Sequence, residues 1–290
     1  MKYLLLLSLT LLPLFAKIDI ELSNGAVANA QTLLIKLHAD AEEPKMSRIY
    51  AAFEGKRYPF YRNKFEQGRS FYALIPVSYY AKPKESRLTV VHIENGKKFY
   101  NSYLIEIYKG DYKSEKLSVA PSRAQISAKN RKRIARERKE AHKIYRTSTP
   151  RLYIKKALSL PMESKITSAF GNRRLFNGVL KSFHSGTDFR AKTGTPIRAV
   201  ADGRVVLVKN RFFAGNSVII DHGQGIYTGY YHMSRFKVRK GQFVKRGQIL
   251  GLAGATGRVT GPHLHFEVHV NGTLVDPLQF IETADLLFWK

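Results

Sequence analysis

Two short stretches carry side chains that bind metal ions and move protons: His184-Ser185-Gly186-Thr187-Asp188 and, much later in the chain, His263-Leu264-His265. In a strand, residues i and i+2 project from one face. His263 and His265 are therefore expected to enter one site, one of them as a ligand and its neighbour as a proton carrier. In the first stretch, Gly186 permits a backbone path that turns a nitrogen donor and an oxygen donor toward the same ion. Two imidazoles and one carboxylate make a three-ligand set. Catalytic zinc sites use three protein ligands and leave the fourth position for water, whereas structural sites are closed by four, often with Cys. This chain has no Cys. Such a set leaves zinc positive enough to bring the pKa of a bound water toward about 7. A general base within hydrogen-bond reach must then accept the water's proton, and His232 and His263 are the candidates. Glu267 shares strand parity with His263 and His265, so it is expected either to orient a ligand imidazole or to form a structural ion pair. His222 is given no ligand role, His142 and His269 are expected at the surface, and His38 and His92 are expected to be structural.

The surrounding residues narrow these options. Phe170-Gly171-Asn172-Arg173-Arg174, His184 to Phe189, Tyr231-His232-Met233-Ser234, Thr256-Gly257 and Gly261-Pro262-His263-Leu264-His265-Phe266-Glu267 follow one another in that order. The order resembles the lysostaphin/LytM-type zinc endopeptidases that cut peptidoglycan, from about Pro161 to Ile281. The resemblance implies that His184, Asp188 and His265 hold one Zn2+ per chain and that His232 and His263 are the catalytic histidines. The Phe-Gly-x-Arg-Arg stretch and the long Leu175 to Phe183 approach loop resemble the Gram-negative branch. That branch implies a D-Ala to meso-diaminopimelate cross-link as substrate in place of a pentaglycine bridge. Arg190-Ala191-Lys192 and Met233 depart from the usual pattern without touching a ligand or proton-transfer position. The alternative is a family member that has lost catalysis and acts as a regulator or wall-binding adaptor. Degenerate members lack ligands, and all five positions are present here.

The elements that must position these residues are mainly β. Residues 17–120 are expected to form a β-sandwich of about seven strands, immunoglobulin-like in type. Its clearest hairpin runs from Leu88 to Glu94 and back from Phe99 to Tyr108, around Asn95-Gly96. Residues 121–157 form a basic linker, with ten Lys or Arg against two Glu between Arg123 and Arg146. Ser127 caps a helix there, and Thr147-Ser148-Thr149-Pro150 ends it. Its apolar stripe of Ile134, Ala141 and Tyr145, with Ile144 beside it, fits one neighbour at most, and a solvated connector helix is expected. Residues 158–282 form the LytM-like β-sheet peptidase domain, and residues 283–290 a C-terminal tail. Gly241 to Gly251 also resembles the lipoyl and biotinyl carrier domains, which have no use for the histidine constellation, so that likeness is one of β architecture. Gly251 to Gly257 lacks the Gly-Lys-Ser/Thr ending of a phosphate loop.

Residues 1–16 have a positive start, a short apolar run and Ala16 before charged sequence, and read as a signal peptide. The run is too short for a membrane span and is interrupted by Pro13. Export to the periplasm of a Gram-negative bacterium is expected, with membrane tethering if the segment is retained. Lys and Arg number 49 against 22 Asp and Glu, a net charge of +27. Such a charge attracts an anionic wall polymer or an anionic membrane surface. Expected export and the lack of a nucleic-acid motif set DNA and RNA aside. The expected partner is peptidoglycan, met by a monomer.

Overall fold

The computed structural model describes residues 18–39, 46–94, 96–117, 127–176 and 179–288. The signal-peptide expectation for residues 1–16 lies outside them. Among the described residues no helix is long and apolar enough to cross a membrane.

The N-terminal region is a β-sandwich. One sheet has the order Ile18–Leu22, Thr32–Ala39, Arg69–Pro76, Tyr61–Arg62; the other runs Ala26–Ala28, Lys97–Tyr108, Lys84–Glu94, Met46–Phe53, Lys56–Pro59. These orders correspond to the ABED and GFC sheets of an immunoglobulin-type sandwich, with a C′ strand at the edge. Nine strands are described in this region, against about seven expected. The two-residue alternation of side chains then does double duty. Leu33, Ile35 and Leu37, with Ala73 and Ile75, fill the sandwich core. Leu34, Tyr72 and Leu74, from the opposite face of the same strands, enter the core of the C-terminal domain. The sandwich is therefore packed on the domain that carries the histidines. Gln279 exchanges two hydrogen bonds with the Thr32 backbone, at 2.8 and 2.9 Å, and Tyr79 stacks on Phe183 with ring centroids 3.7 Å apart.

The C-terminal domain is built on a ten-stranded sheet in which Thr187–Arg190, His263–Val270, Ile226–Phe236, Gly215–Gly223 and Gly203–Arg211 are successive antiparallel neighbours. The first eight residues of Ile226–Phe236 are all buried, as expected for a strand covered on both faces.

Four boundaries differ from expectation. The strand Ser114–Leu117 leaves the sandwich and pairs in parallel with Arg173–Phe176, which itself pairs with Val179–Phe183; the approach loop is thus a hairpin held by a third strand. Ile154, Ala157 and Leu158 are buried, so the C-terminal domain begins before residue 158. Residues 283–288 are no tail. They complete the helix Pro277–Phe288, which buries Phe280, Thr283, Ala284, Leu287 and Phe288. The basic helix Ala128–Tyr145 is capped by Ser127, whose side chain accepts from the Asn130 amide, yet it is docked and not solvated. Ala141 and Tyr145 pack on Leu207, Ile219, Tyr227 and Tyr231, and Glu137 accepts from the Phe212 amide at 2.8 Å. The chain leaving this helix crosses Gly223 so closely that a Cβ there would lie 1.8 Å from the Arg151 carbonyl oxygen.

Candidate active site

Three adjacent strands of the sheet, with the connection that leads into one of them, bring all five predicted residues together. Asp188 and His265 are direct partners across two antiparallel strands. His184 sits just before the first of those strands, its backbone clamped by bonds to Asn172 and Gly171, each 2.8 Å long. Asp188 Oδ1 lies 2.8 Å from His265 Nδ1 and 3.1 Å from His184 Nε2, and those two nitrogens are 3.1 Å apart. Among the described residues these three form a group able to hold a metal ion. The outward nitrogens fit that role. His184 Nδ1 faces the Ala169 carbonyl at 2.8 Å; a carbonyl only accepts, so Nδ1 carries the hydrogen and Nε2 presents a lone pair. His265 Nε2 faces the Glu267 carboxylate at 3.2 Å, which likewise turns the Nδ1 lone pair inward. Burial alone raises the Asp188 carboxyl; when the inward nitrogens of His184 and His265 carry protons in place of a metal ion, they donate to it, outweigh the burial and hold the group well below the usual carboxylate range.

Gly186 acts differently from the expectation. Its φ is not left-handed; instead, a Cβ there would meet the Phe266 carbonyl oxygen at 2.4 Å and His265 Nε2 at 2.7 Å. The glycine makes room for the ligand ring.

His263 follows strand parity, with Nε2 3.7 Å from Asp188 Oδ1 and Nδ1 donating to the Gly261 carbonyl at 2.9 Å. His232 breaks parity. Tyr231 pairs with His265 in register and stacks on it at 5.6 Å, so regular alternation sends the next side chain to the other face. His232 has φ 62, a left-handed conformation that costs a non-glycine residue about 1–3 kcal/mol. That kink brings its ring 4.8 Å from His263 and 5.9 Å from His265. The conformation is held by a bond from the His232 amide to the Ala214 carbonyl, and by Nδ1 donating to Thr256 O, both 2.9 Å. Thr256 in turn donates to the Met233 carbonyl at 2.8 Å. Burial, then repulsion from His265, lowers His232 to about 4. Among the described residues the Nε2 atoms of His232 and His263 have no carbonyl partner, and both rings lie beside the three-residue cluster.

Glu267 takes the orienting position at His265 that its strand parity offered, and also accepts from Ser185 at 2.6 Å and from Tyr231 at 2.8 Å, two partners the sequence did not reveal. His269, expected at the surface, has Nε2 3.4 Å from Glu267 and stacks on Tyr145. His222 is fully buried, donating to the Asp202 carbonyl at 2.8 Å. His92 is buried against Phe99, and His38 lies 3.8 Å from Glu66.

The model for Peptidase family M23 matches residues 182–277, a span containing all five residues. Over 123 residues the chain is 49% identical to the peptidoglycan DD-endopeptidase ShyA of Vibrio cholerae, covering 41% of this chain and 28% of that protein. It is 41% identical over 117 residues to the DD-carboxypeptidase/endopeptidase Mpg of Neisseria meningitidis, covering 40% of this chain and 26% of the relative. The chain thus spans under a third of the length of these curated relatives. A crystal structure from Pseudomonas aeruginosa, described as a peptidase M23, is similar over far more: 31% identity, a TM-score of 0.65, and 88% of this chain aligned with 94% of that one. That similarity extends through the sandwich as well as the histidine-bearing sheet, and the chain belongs to peptidase family M23.

Proposed function

We propose that this protein is a zinc-dependent endopeptidase that hydrolyses the peptide cross-links of peptidoglycan, with the D-Ala to meso-diaminopimelate bond as its target. The observation that carries the proposal is the junction of two groups. A His-Asp-His cluster lies beside two further imidazoles whose Nδ1 atoms are fixed by backbone carbonyls. Two neutral nitrogens and one carboxylate oxygen suit zinc better than the oxygen-preferring Mg or Ca ions. Zinc, when bound there, supplies Lewis acidity toward the scissile carbonyl and the attacking water.

The chain's own residues supply the rest. His232, held at about 4, is neutral at pH 7, so its Nε2 accepts a proton. His263, with its ring 4.8 Å away, presents the same nitrogen to the same space. One ring takes the water's proton at its bare Nε2 while the other, in its doubly protonated form, hydrogen-bonds the developing oxyanion, and a protonated imidazole then delivers a proton to the leaving amine. The names of the relatives ShyA and Mpg support a peptidoglycan substrate. The +27 charge supports capture of a polymer with free carboxylates, and residues 1–16 support export to the periplasm. The test is incubation of the zinc-loaded chain with purified cross-linked muropeptide dimers, followed by mass spectrometry. Release of uncross-linked monomers is expected; trimming of only a terminal residue would make the protein a carboxypeptidase, and no product from any wall fragment would remove the proposal.

A further inference from the structure

The basic helix ends in a side chain that points at the support of the metal cluster. Tyr145 lies outside the segment matched by the family model, and its hydroxyl is 2.8 Å from that of Tyr231. Tyr231 is 2.8 Å from Glu267 Oε2. An ionised carboxylate only accepts, so the hydrogen bonds have a fixed direction. Tyr231 must donate to Glu267, its oxygen is then free to accept, and Tyr145 donates to it. On the other carboxylate oxygen, Glu267 Oε1 accepts from His265 Nε2 at 3.2 Å and from Ser185 at 2.6 Å. Tyr145 also reaches the second donor to Oε2. It stacks on His269 with centroids 3.6 Å apart and planes 9° from parallel, and His269 Nε2 is 3.4 Å from Oε2. Both groups facing that oxygen are thus held by one linker residue.

We propose that Tyr145 is a positioning residue of the metal site, fixing Glu267 through Tyr231 and His269 and thereby aiming the His265 ring at the ion. The inference rests on the metal-site reading above. Tyr145 and Tyr231 are both buried. A hydroxyl with no partner there is costly, so the array has little freedom to settle in another arrangement. Partners beyond the ligands commonly alter metal affinity by about 10–100-fold. Tyr145 acts one residue further out, so the low end of that range is expected.

The experiment uses the whole chain with Tyr145→Phe, Tyr231→Phe, the double variant and Lys132→Ala, an exposed position on the same helix. Zinc affinity is measured by competition with a chromophoric chelator, and the visible absorption of the cobalt-loaded proteins reports ligand geometry. Tyr145→Phe keeps the ring stack and removes only the hydroxyl. It should weaken zinc binding about tenfold and shift the cobalt spectrum, while Lys132→Ala does neither. In the Tyr231→Phe background the second substitution should add almost nothing, because the two hydroxyls act in series. Affinity and spectrum unchanged by Tyr145→Phe would overturn the proposal while leaving the metal site standing, as would full additivity of the two substitutions. A wild-type chain that binds no zinc would instead sink the metal-site reading itself. Thermal melting of the metal-free variants is the folding control. If Tyr145→Phe melts early, the comparison between Tyr231→Phe and the double variant carries the same test.

Discussion

Asp188 and His265 face each other across neighbouring antiparallel strands, in direct register, with Oδ1 and Nδ1 2.8 Å apart. The sheet's own hydrogen bonds therefore set the distance between an oxygen donor and a nitrogen donor. His184 joins them from the connection just before the same strand. Such a site is aimed before an ion arrives.

The first prediction concerns that pair. His265→Ala or Asp188→Asn should remove most of the zinc from carefully purified protein, since each leaves a two-ligand site. Elemental analysis checks it, and full occupancy in either variant would remove that residue from the ligand set.

Gly186→Ala should damage the same site without touching a ligand. Its Cβ has to displace the Phe266 carbonyl or the His265 ring, and overpacking of this kind costs about 1–3 kcal/mol. A lower denaturation midpoint together with weaker zinc binding is the expected outcome. Wild-type values for both would show that the close approach is unimportant.

His232→Ala and His263→Ala should retain zinc and the fold but lose turnover by about a hundred- to ten-thousand-fold. Alanine in place of His232 keeps a Cβ at this left-handed position, so the strain of about 1–3 kcal/mol stays and only His232→Gly would relieve it. Turnover of muropeptide dimers near the wild-type rate would clear either histidine of a catalytic role.

His222 gives a pH prediction away from the metal. Burial lowers its pKa from the ordinary 6.5, so below that pH the unfolded chain takes up a proton that the folded chain refuses. More protons bound by the unfolded state means that stability rises with pH. This contribution is complete above 6.5 and is lost on acidification, with a slope of up to about 1.4 kcal/mol per pH unit. Denaturant unfolding between pH 7.5 and pH 5 should show a steeper loss for the wild type than for His222→Gln. Equal slopes would mean that His222 is protonated when folded.

The parts of the site that were legible in the sequence are the ones fixed by local geometry. His263 and His265 enter one site because strand parity acts over two residues, and the Ser127 cap and the pairing of Lys84–Glu94 with Lys97–Tyr108 are equally local. His232 was legible only through its motif, since parity assigns it to the wrong face and a single φ of 62 restores it. Glu267 was legible by the same parity as His263 and His265, whereas the roles of Gly186 and Tyr145 depend on what lies opposite them. Tyr145 meets Tyr231 across 86 residues of chain, and no periodicity in the basic helix distinguishes a residue that packs from one that also donates a hydrogen bond. The expected tail failed for a related reason. Leu287 and Phe288 look terminal in sequence but fill the space beneath the sandwich, where Phe288 meets Tyr72 and Phe65.

The proposed zinc peptidase activity stands or falls with the His184, Asp188 and His265 cluster. Metal-free protein should be titrated with zinc while the cleavage of a purified cross-linked muropeptide dimer is followed. Activity is predicted to start near zero, rise linearly, and stop rising at one zinc per chain. Full activity in the metal-free protein, or none at saturating zinc, would contradict the account.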